Sequence, residues 1–145
     1  MGFRENVLTG SINIFHMSSG SCNNCDIEIL DSLTPRFDIE RFGITLVGSV
    51  KHADVMLCTG SANRLTVPII KNLYEQMPKP GFVIVYGACG CSRGIFKDSY
   101  NTLAPLDEII PVDAYIPGCP PKPEATIAAI VKLIDKIRAR KAKRI

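Results

Sequence analysis

Six cysteines carry the chemistry that this sequence could perform, because a thiolate is at once a nucleophile, a redox group and a soft metal ligand. They are Cys22, Cys25, Cys58, Cys89, Cys91 and Cys119. A disulfide-stabilised secreted protein would be shorter and denser in cysteine than this chain of 145 residues. In a cytosolic protein we therefore expect these side chains to bind metal or to lie buried as small apolar groups.

The elements that must position these thiols are short apolar strands alternating with amphipathic helices. Strands are predicted at Ile12–Met17, Ile44–Val47, Val55–Thr59, Phe82–Tyr86 and Ile109–Ile116, the last one bent or confined to a sheet edge by Pro111. Helices are predicted at Asp26–Leu33, at Leu65–Met77 and from Pro123 into the basic end of the chain. This alternation is typical of a flavodoxin-like α/β fold, an open, mostly parallel sheet with helices on both faces.

Side-chain patterns indicate how each helix begins and packs. We expect capping of the first helix by the run Ser21, Asn23 and Asn24, and a first turn made acidic by Asp26 and Glu28. The second helix presents an apolar stripe made of Val67, Ile70, Tyr74 and Met77. The last helix is predicted to share one apolar face among Ile127, Ile130, Val131, Ile134 and Ile137.

Four of the cysteines follow predicted strands. Cys22 and Cys25 form a C-x-x-C after the first strand, Cys89 follows the fourth strand, and Cys119 follows the fifth. The loops after parallel strands meet at one edge of the sheet, so we expect these four thiols to converge there. Cys58 falls within an apolar strand, where a buried hydrophobe is expected.

Four thiols that converge from separate loops suit a zinc ion or an iron–sulfur cube. Spacing alone leaves other interpretations open: metal-free buried cysteines, or a thioredoxin-like redox pair at Cys22 and Cys25. Cys91 could replace Cys89 as a ligand, since the two are separated by one glycine.

Long stretches of the chain resemble one family. They are residues 20–30 (GSCNNCDIEIL), 33–38 (LTPRFD), 40–43 (ERFG), 47–49 (VGS), 52–55 (HADV), 86–89 (YGAC), 110–113 (IPVD) and 116–125 (IPGCPPKPEA). Together they are similar to the small subunit of energy-converting, membrane-bound NiFe hydrogenases, which is homologous to the cluster-bearing 20 kDa-type subunit of respiratory complex I. The complex I motif has adjacent cysteines, so the two residues between Cys22 and Cys25 favour the hydrogenase branch.

This resemblance implies a flavodoxin-like domain over residues 1–145 that binds one 4Fe–4S cluster through Cys22, Cys25, Cys89 and Cys119. The cluster would be the one nearest the active site, which belongs to a separate large subunit. The chain itself would perform no bond chemistry and would relay electrons to or from a subunit with ferredoxin-like clusters. The implied partners also include membrane subunits, with this chain peripheral on the cytoplasmic side of the cell membrane. Relatives without nickel, such as sulfur reductases or quinone-linked complexes, share the pattern.

Two positions depart from the family pattern. Asn24 and Arg93 stand where the family usually has glycine, and each puts a polar side chain beside the predicted cluster. Arg93 could donate to a cluster sulfide or a partner carboxylate, and Glu28 could pass protons at the interface with the large subunit. We expect His16 to be a satisfied core or interface histidine and His52 to lie in a surface turn.

Composition and charge exclude several classes of protein. Apolar residues form 46% of the chain and charged residues 21%, which is too apolar for a disordered protein. No apolar run reaches the roughly 18 residues of a membrane helix, and no signal peptide is recognisable. The whole chain has a net charge of +3. Residues 132–145 alone contain seven basic residues and one acidic residue. We expect this segment to be a solvated end or a contact for an acidic partner or lipid, and we predict no nucleic-acid binding.

Overall fold

A five-stranded parallel sheet forms the centre of the computed structural model, which describes residues 11–142 and only the backbone of residues 135–142. The strands are β1 (Ile12–Ser18), β2 (Ile44–Val47), β3 (Val55–Thr59), β4 (Phe82–Tyr86) and β5 (Ala114–Ile116). Their order across the sheet is β2-β1-β3-β4-β5, and every pairing is parallel. This is the flavodoxin-like order, which confirms the predicted fold class.

Four helices connect or follow the strands within the described residues. They are α1 (Asn24–Ser32), α2 (Thr66–Gln76), α3 (Ala88–Ser92) and α4 (Pro123–Ala142). Short 3₁₀ turns occur at Ile39–Phe42, Val50–His52, Gly94–Phe96 and Leu106–Glu108. Between residues 11 and 142, no helix combines the length and the apolar character that a membrane crossing needs.

The sheet has an apolar core on each face. Along β3, Val55 and Leu57 belong to the first core, whereas Met56 and Cys58 belong to the second. Successive side chains of a strand point to opposite faces, so continuous apolar strands such as β3 and β4 serve both cores. The first core also contains Ile29 of α1 and Ile130 of α4, and the second contains Ile70 of α2. Helices therefore cover both faces, as predicted.

Ile84 lies at the middle of β4 and is fully buried in the first core. We expect Ile84→Ala to lower the free energy of unfolding by about 2–5 kcal/mol, because it removes buried methyl groups and leaves a cavity. Denaturant titration of the purified protein measures this loss. Ile95→Ala is the matched control, since the Ile95 side chain is 89% exposed and its truncation should change stability by less than about 0.5 kcal/mol.

The structure corrects several local expectations. The fifth strand covers Ala114–Ile116 instead of Ile109–Ile116, because the chain before it turns at Leu106–Glu108 and reaches Pro111 without strand pairing. The short helix α3 was not predicted, since its five residues contain a glycine and two cysteines and offer no helical periodicity.

Two predicted helix features are also wrong. At the start of α1, Asn23 has a left-handed backbone (φ 72°) and its side chain caps nothing; instead its N–H donates to Ser21 Oγ at 3.2 Å. On α4, Val131 is exposed and Leu133 takes its place in the first core beside Ile130. Lys132 is exposed. The predicted apolar residue Ile137 and the basic residues after Lys132 fall in the part of the chain whose side chains the structure does not describe.

Candidate metal centre

Three loops that follow strands β1, β4 and β5 meet at the carboxyl edge of the sheet. The Gly87 N–H donates to the Ile116 carbonyl at 2.8 Å, and the Ala88 N–H donates to the Gly118 carbonyl at 2.7 Å. These bonds join the loop that carries Cys89 to the loop that carries Cys119. At the end of β1, the Ser19 N–H donates to the Thr59 carbonyl at 2.8 Å and holds the segment before Cys22 against β3.

The thiols of Cys22, Cys25, Cys89 and Cys119 lie close enough to influence one another electrostatically. The pKa of Cys25 is raised to about 11, mainly by burial and then by the charges of Cys22, Cys89, Asp26 and Cys119, in that order. Burial also raises the pKa of Cys89, with Cys119 and Cys22 as the next causes, while a hydrogen bond from its own backbone opposes the rise. Like charges raise a thiol pKa only at short range, so Cys22, Cys89 and Cys119 lie within electrostatic range of Cys25.

These four thiols differ in their access to solvent. Cys25 is buried, Cys89 is half-buried, and Cys22 and Cys119 are exposed. Because the pKa values of Cys25 and Cys89 are raised, both thiols are protonated at neutral pH without a bound cation. A metal that binds there must therefore displace protons.

Gly87 leaves room for the most buried of these thiols. A Cβ atom built on Gly87 would lie 2.8 Å from Cys25 Sγ, and the glycine has a φ of 90° that a residue with a side chain rarely adopts. The absence of a side chain at position 87 therefore lets the backbone at the end of β4 approach the Cys25 sulfur directly.

The two remaining cysteines have other surroundings. Cys58 is fully buried in β3 with its pKa raised to about 12 by burial, which confirms the prediction of a small core residue. Cys91 packs against the second core, and burial, Asp107 and Cys89 raise its pKa, in that order. Cys91 is not among the thiols that act on Cys25.

A hydrogen-bonded group of three side chains adjoins the Cys25 turn. Thr59 at the end of β3 donates its hydroxyl to Asp26 Oδ1 at 2.7 Å, and His16 Nε2 lies 3.0 Å from both the same carboxylate oxygen and Thr59 Oγ1. His16 is thus a satisfied histidine, as predicted. The connection to Asp26 was not foreseen, because it depends on the neighbouring positions of β1 and β3 in the sheet.

A second hydrogen-bonded group links β4, α4 and the Cys119 loop. The Tyr86 hydroxyl donates to the Pro121 carbonyl at 2.9 Å and accepts from Thr126 Oγ1 at 3.1 Å. In the sequence, Tyr86 ends an apolar strand and begins the YGAC stretch, and neither pattern shows the partners of its hydroxyl. A buried tyrosine needs a partner for its hydroxyl, and this was the signal that could have pointed to such a group.

Two buried polar atoms in the surrounding loops have no hydrogen-bond partner within the described part of the chain. They are Ser61 Oγ, in the loop after β3, and Arg93 Nε, directly after α3. Arg93 has a left-handed φ of 66°, which is uncommon for a residue with a side chain. Glu28, the other residue with an expected role, is half-buried on α1 near Tyr86, whose pKa its charge helps to raise.

The donor set at this edge suits a thiolate-ligated cluster. It offers four sulfur ligands, a side-chain-free backbone at Gly87 beside the Cys25 sulfur, and two unpartnered donors nearby. Among residues 11–142, no three histidine, cysteine or acidic side chains are gathered as closely as one metal ion requires. A cube places its thiolates on different irons and so accepts wider spacing than a single ion.

The sequence matches one family of proteins over residues 22–133, which is most of its length. That family is described as "NADH ubiquinone oxidoreductase, 20 Kd subunit". The chain belongs to this family. It is accordingly an oxidoreductase subunit of the 20 kDa type, as the motifs at Cys22, Cys89 and Cys119 predicted.

Curated relatives of this 20 kDa-type subunit come from several kinds of complex. The chain is 52% identical over 124 residues to "Probable membrane-bound hydrogenase subunit mbhJ" of Pyrococcus furiosus, an alignment that covers 86% of this chain and 74% of that protein. It is 46% identical to formate hydrogenlyase subunit 7 of Escherichia coli, over 90% of this chain and 52% of that protein. It is 41% identical to an NADH-quinone oxidoreductase subunit of Citrifermentans bemidjiense, over 92% of this chain and 83% of that protein.

One solved structure agrees with the family assignment, and a second has the same fold. A chain of the membrane-bound sulfane sulfur reductase, described as an archaeal respiratory membrane complex, superposes with a TM-score of 0.81 at 38% identity. The superposition covers 92% of this chain and 74% of that one. An NAD⁺-reducing [NiFe]-hydrogenase superposes with a TM-score of 0.68 at 19% identity, over 87% of this chain and 92% of that one, and shares the fold.

Proposed function

We propose that this 20 kDa-type subunit transfers electrons within a membrane-bound, energy-converting NiFe hydrogenase complex. In this proposal Cys22, Cys25, Cys89 and Cys119 hold one 4Fe–4S cluster next to the active site of a large subunit. The observation that carries it is that Cys22, Cys89 and Cys119 lie within electrostatic range of Cys25, and Cys22 and Cys119 within range of Cys89, at the carboxyl edge of the sheet. Family membership and the C-x-x-C spacing of the first pair support the same ligand set.

The surroundings of the cysteines support Cys89 over Cys91 as the third ligand. Cys89 acts electrostatically on Cys25 and is itself affected by Cys22 and Cys119. Cys91 instead packs on the second core near Asp107. Because Cys91 is not among the thiols that act on Cys25 and packs on the second core, it is the poorer ligand.

The residues of this chain would hold and tune the cluster rather than perform bond chemistry. A bound 4Fe–4S cluster supplies one-electron transfer. Cys25 stands at the start of α1, where the positive end of the helix dipole favours bound negative charge, although Asp26 in the same turn opposes it. Burial of Cys25 and the close backbone at Gly87 keep water from that side of the site, and hydrogen-bond donors near the sulfurs would raise the reduction potential.

The proposed partners are the large subunit, a subunit with ferredoxin-like clusters, and membrane subunits, with this chain peripheral on the cytoplasmic side. Support comes from the relatives, which carry names of a membrane-bound hydrogenase, a formate hydrogenlyase and a quinone oxidoreductase. Exposed Cys22 and Cys119 put the site at the surface of the chain, where a neighbouring subunit could cover it and exchange electrons over a short distance.

A second candidate is the equivalent subunit of a related complex without nickel. The likeness to a chain of the sulfane sulfur reductase, at 38% identity, favours it specifically. Both candidates use the same cluster and differ in the large subunit. Nickel analysis of the purified complex separates them, because a stoichiometric amount of nickel supports the hydrogenase and its lack supports the second candidate.

Metal analysis of the anaerobically purified complex tests the shared cluster. We expect about four irons and about four acid-labile sulfides at the site of this chain, with a low-potential EPR signal after reduction with dithionite. Other subunits of such a complex can also carry clusters. The iron bound by this chain is therefore measured as the difference in iron content between the wild-type complex and the Cys119→Ser complex. Stoichiometric zinc without sulfide at this site would contradict the proposal and leave a structural metal domain.

A further inference from the structure

The end of β4 holds the backbone on both sides of Cys119. Ala88 N–H donates to the carbonyl of Gly118, directly before Cys119, and the Tyr86 hydroxyl donates to the carbonyl of Pro121, two residues after it. Between these two anchors, Gly87 faces the sulfur of Cys25. The segment 86–89 therefore carries Cys89, lies against Cys25, and is bonded to residues on both sides of Cys119.

The Cys119 loop has few other ways to be anchored. Its sequence over residues 117–121 is P-G-C-P-P, and the three prolines have no N–H to donate. Backbone hydrogen bonds to this loop must therefore be accepted mainly by its carbonyl groups. Tyr86 supplies the donor on the far side of Cys119, where Pro121 is buried and its carbonyl would otherwise be cut off from water.

The Tyr86 hydroxyl is not needed for packing. Tyr86 is fully buried at the end of a strand that is otherwise apolar, and Thr126, which donates to it, is 1% exposed. Two buried hydroxyl groups in an apolar core lower stability unless each forms a hydrogen bond. Phenylalanine and valine would fill the same space without that requirement. Both hydroxyls instead form one chain of hydrogen bonds that runs from α4 through Tyr86 to the ligand loop.

The charge of Cys25, one of the proposed ligands, also acts on this hydroxyl. The pKa of Tyr86 is raised to about 12, mainly by burial and also by the charges of Cys25 and Glu28, while the hydrogen bond from Thr126 lowers it. At neutral pH the phenol therefore keeps its proton and remains a donor to Pro121. Cys25 belongs to the segment after β1 and Pro121 to the Cys119 loop, so the hydroxyl interacts with two of the segments that carry proposed ligands.

We propose that Tyr86 is a positioning residue for the cluster, whose hydroxyl fixes the backbone that carries Cys119 relative to Cys25. The inference rests on the proposed function, because it assigns a role toward the cluster held by these thiols. It predicts that the hydroxyl controls how firmly Cys119 stays on the metal and what reduction potential results, while the aromatic ring alone satisfies the core.

The test compares Tyr86→Phe with wild type in the intact complex. We expect iron release to an excess of chelator, measured anaerobically, to become about tenfold faster, as is typical when an outer hydrogen bond of a metal ligand is removed. We also expect a shifted reduction potential and altered EPR g-values. Thr126→Val should change the same quantities in the same direction by less, since Tyr86 still donates to Pro121 but has lost its own donor.

Tyr115→Phe is the matched control. Tyr115 lies in β5, its side chain is 46% exposed, and its hydroxyl donates to Asp107 Oδ2 at 3.1 Å rather than to the Cys119 loop. Unchanged iron release and potential in this variant, beside changes in Tyr86→Phe, support the inference.

The inference would be overturned if Tyr86→Phe released iron at the wild-type rate and kept the wild-type reduction potential. A lowered melting temperature in that variant would not rescue it, because a hydroxyl that only stabilises the fold would give the same result. An equal effect in Tyr115→Phe would overturn it as well. A wild-type complex that holds no iron and sulfide at this site would instead contradict the proposed function itself.

Discussion

Cys25→Ser is expected to remove the cluster and with it electron transfer through the complex. Cys25 is the most buried of the four thiols and the one on which all three others act. A serine hydroxyl is a harder and much less acidic ligand than a thiol, so it does not replace a thiolate on iron. We expect about four fewer irons per complex, loss of the corresponding EPR signal, and activity reduced to background.

Two cysteine variants provide the controls for this loss. Cys58→Ala should retain iron and the EPR signal, because Cys58 is a core residue of β3, although the variant should unfold more readily. Cys91→Ala should also retain both, since its thiol packs on the second core. The proposed ligand set would be contradicted if Cys25→Ser retained its iron. It would also be contradicted if Cys91→Ala lost iron while Cys89→Ala retained it.

Gly87→Ala is expected to displace Cys25 and destabilise the site. The new Cβ would lie 2.8 Å from Cys25 Sγ, closer than van der Waals contact allows, and alanine at a φ of 90° is strained. A backbone held in such a region costs of the order of 1–3 kcal/mol. Because the neighbouring Tyr86 and Ala88 are bonded to the Cys119 loop, we expect the thiol rather than the strand end to move. Iron content and the thermal unfolding midpoint measure these two effects.

Gly48→Ala is the control for the glycine variant. A Cβ on Gly48 meets no atom within 4 Å, so its stability and iron content should stay near those of wild type. Full iron content and a wild-type EPR signal in Gly87→Ala would contradict this prediction. The Cys25 sulfur would then not need a residue without a side chain at position 87.

The fold and the convergence of the thiols were predictable because both depend on local patterns. Apolar runs of four or five residues separated by helical periodicity predict strands such as β3 and β4, and parallel strands place their following loops at one edge. The loop after each strand then carries its cysteine to that edge whatever the detailed contacts. The prediction was wrong where local signals conflict, as in Ile109–Ile110, where apolar residues precede a proline and form a turn instead of a strand.

Side-chain partnerships were not predictable in the same way. Val131 and Leu133 are both apolar residues of one helix, and only the direction in which α4 packs on the sheet decides that Leu133 enters the core. Likewise, nothing adjacent to Asp26 in the chain indicates that His16 and Thr59 are its partners.

The residue pattern alone predicts the alternating fold, the family, and the expectation that four cysteines meet at one edge of the sheet. The folded chain is needed to show which thiols act on Cys25, that Cys91 packs on the second core, and that Tyr86 is bonded to Pro121, 35 positions further along. The physical reason is the separation along the chain between the residues that interact. Periodicity and motif spacing report on neighbours in the chain, whereas these contacts join residues that become neighbours only when the strands have taken their order and register.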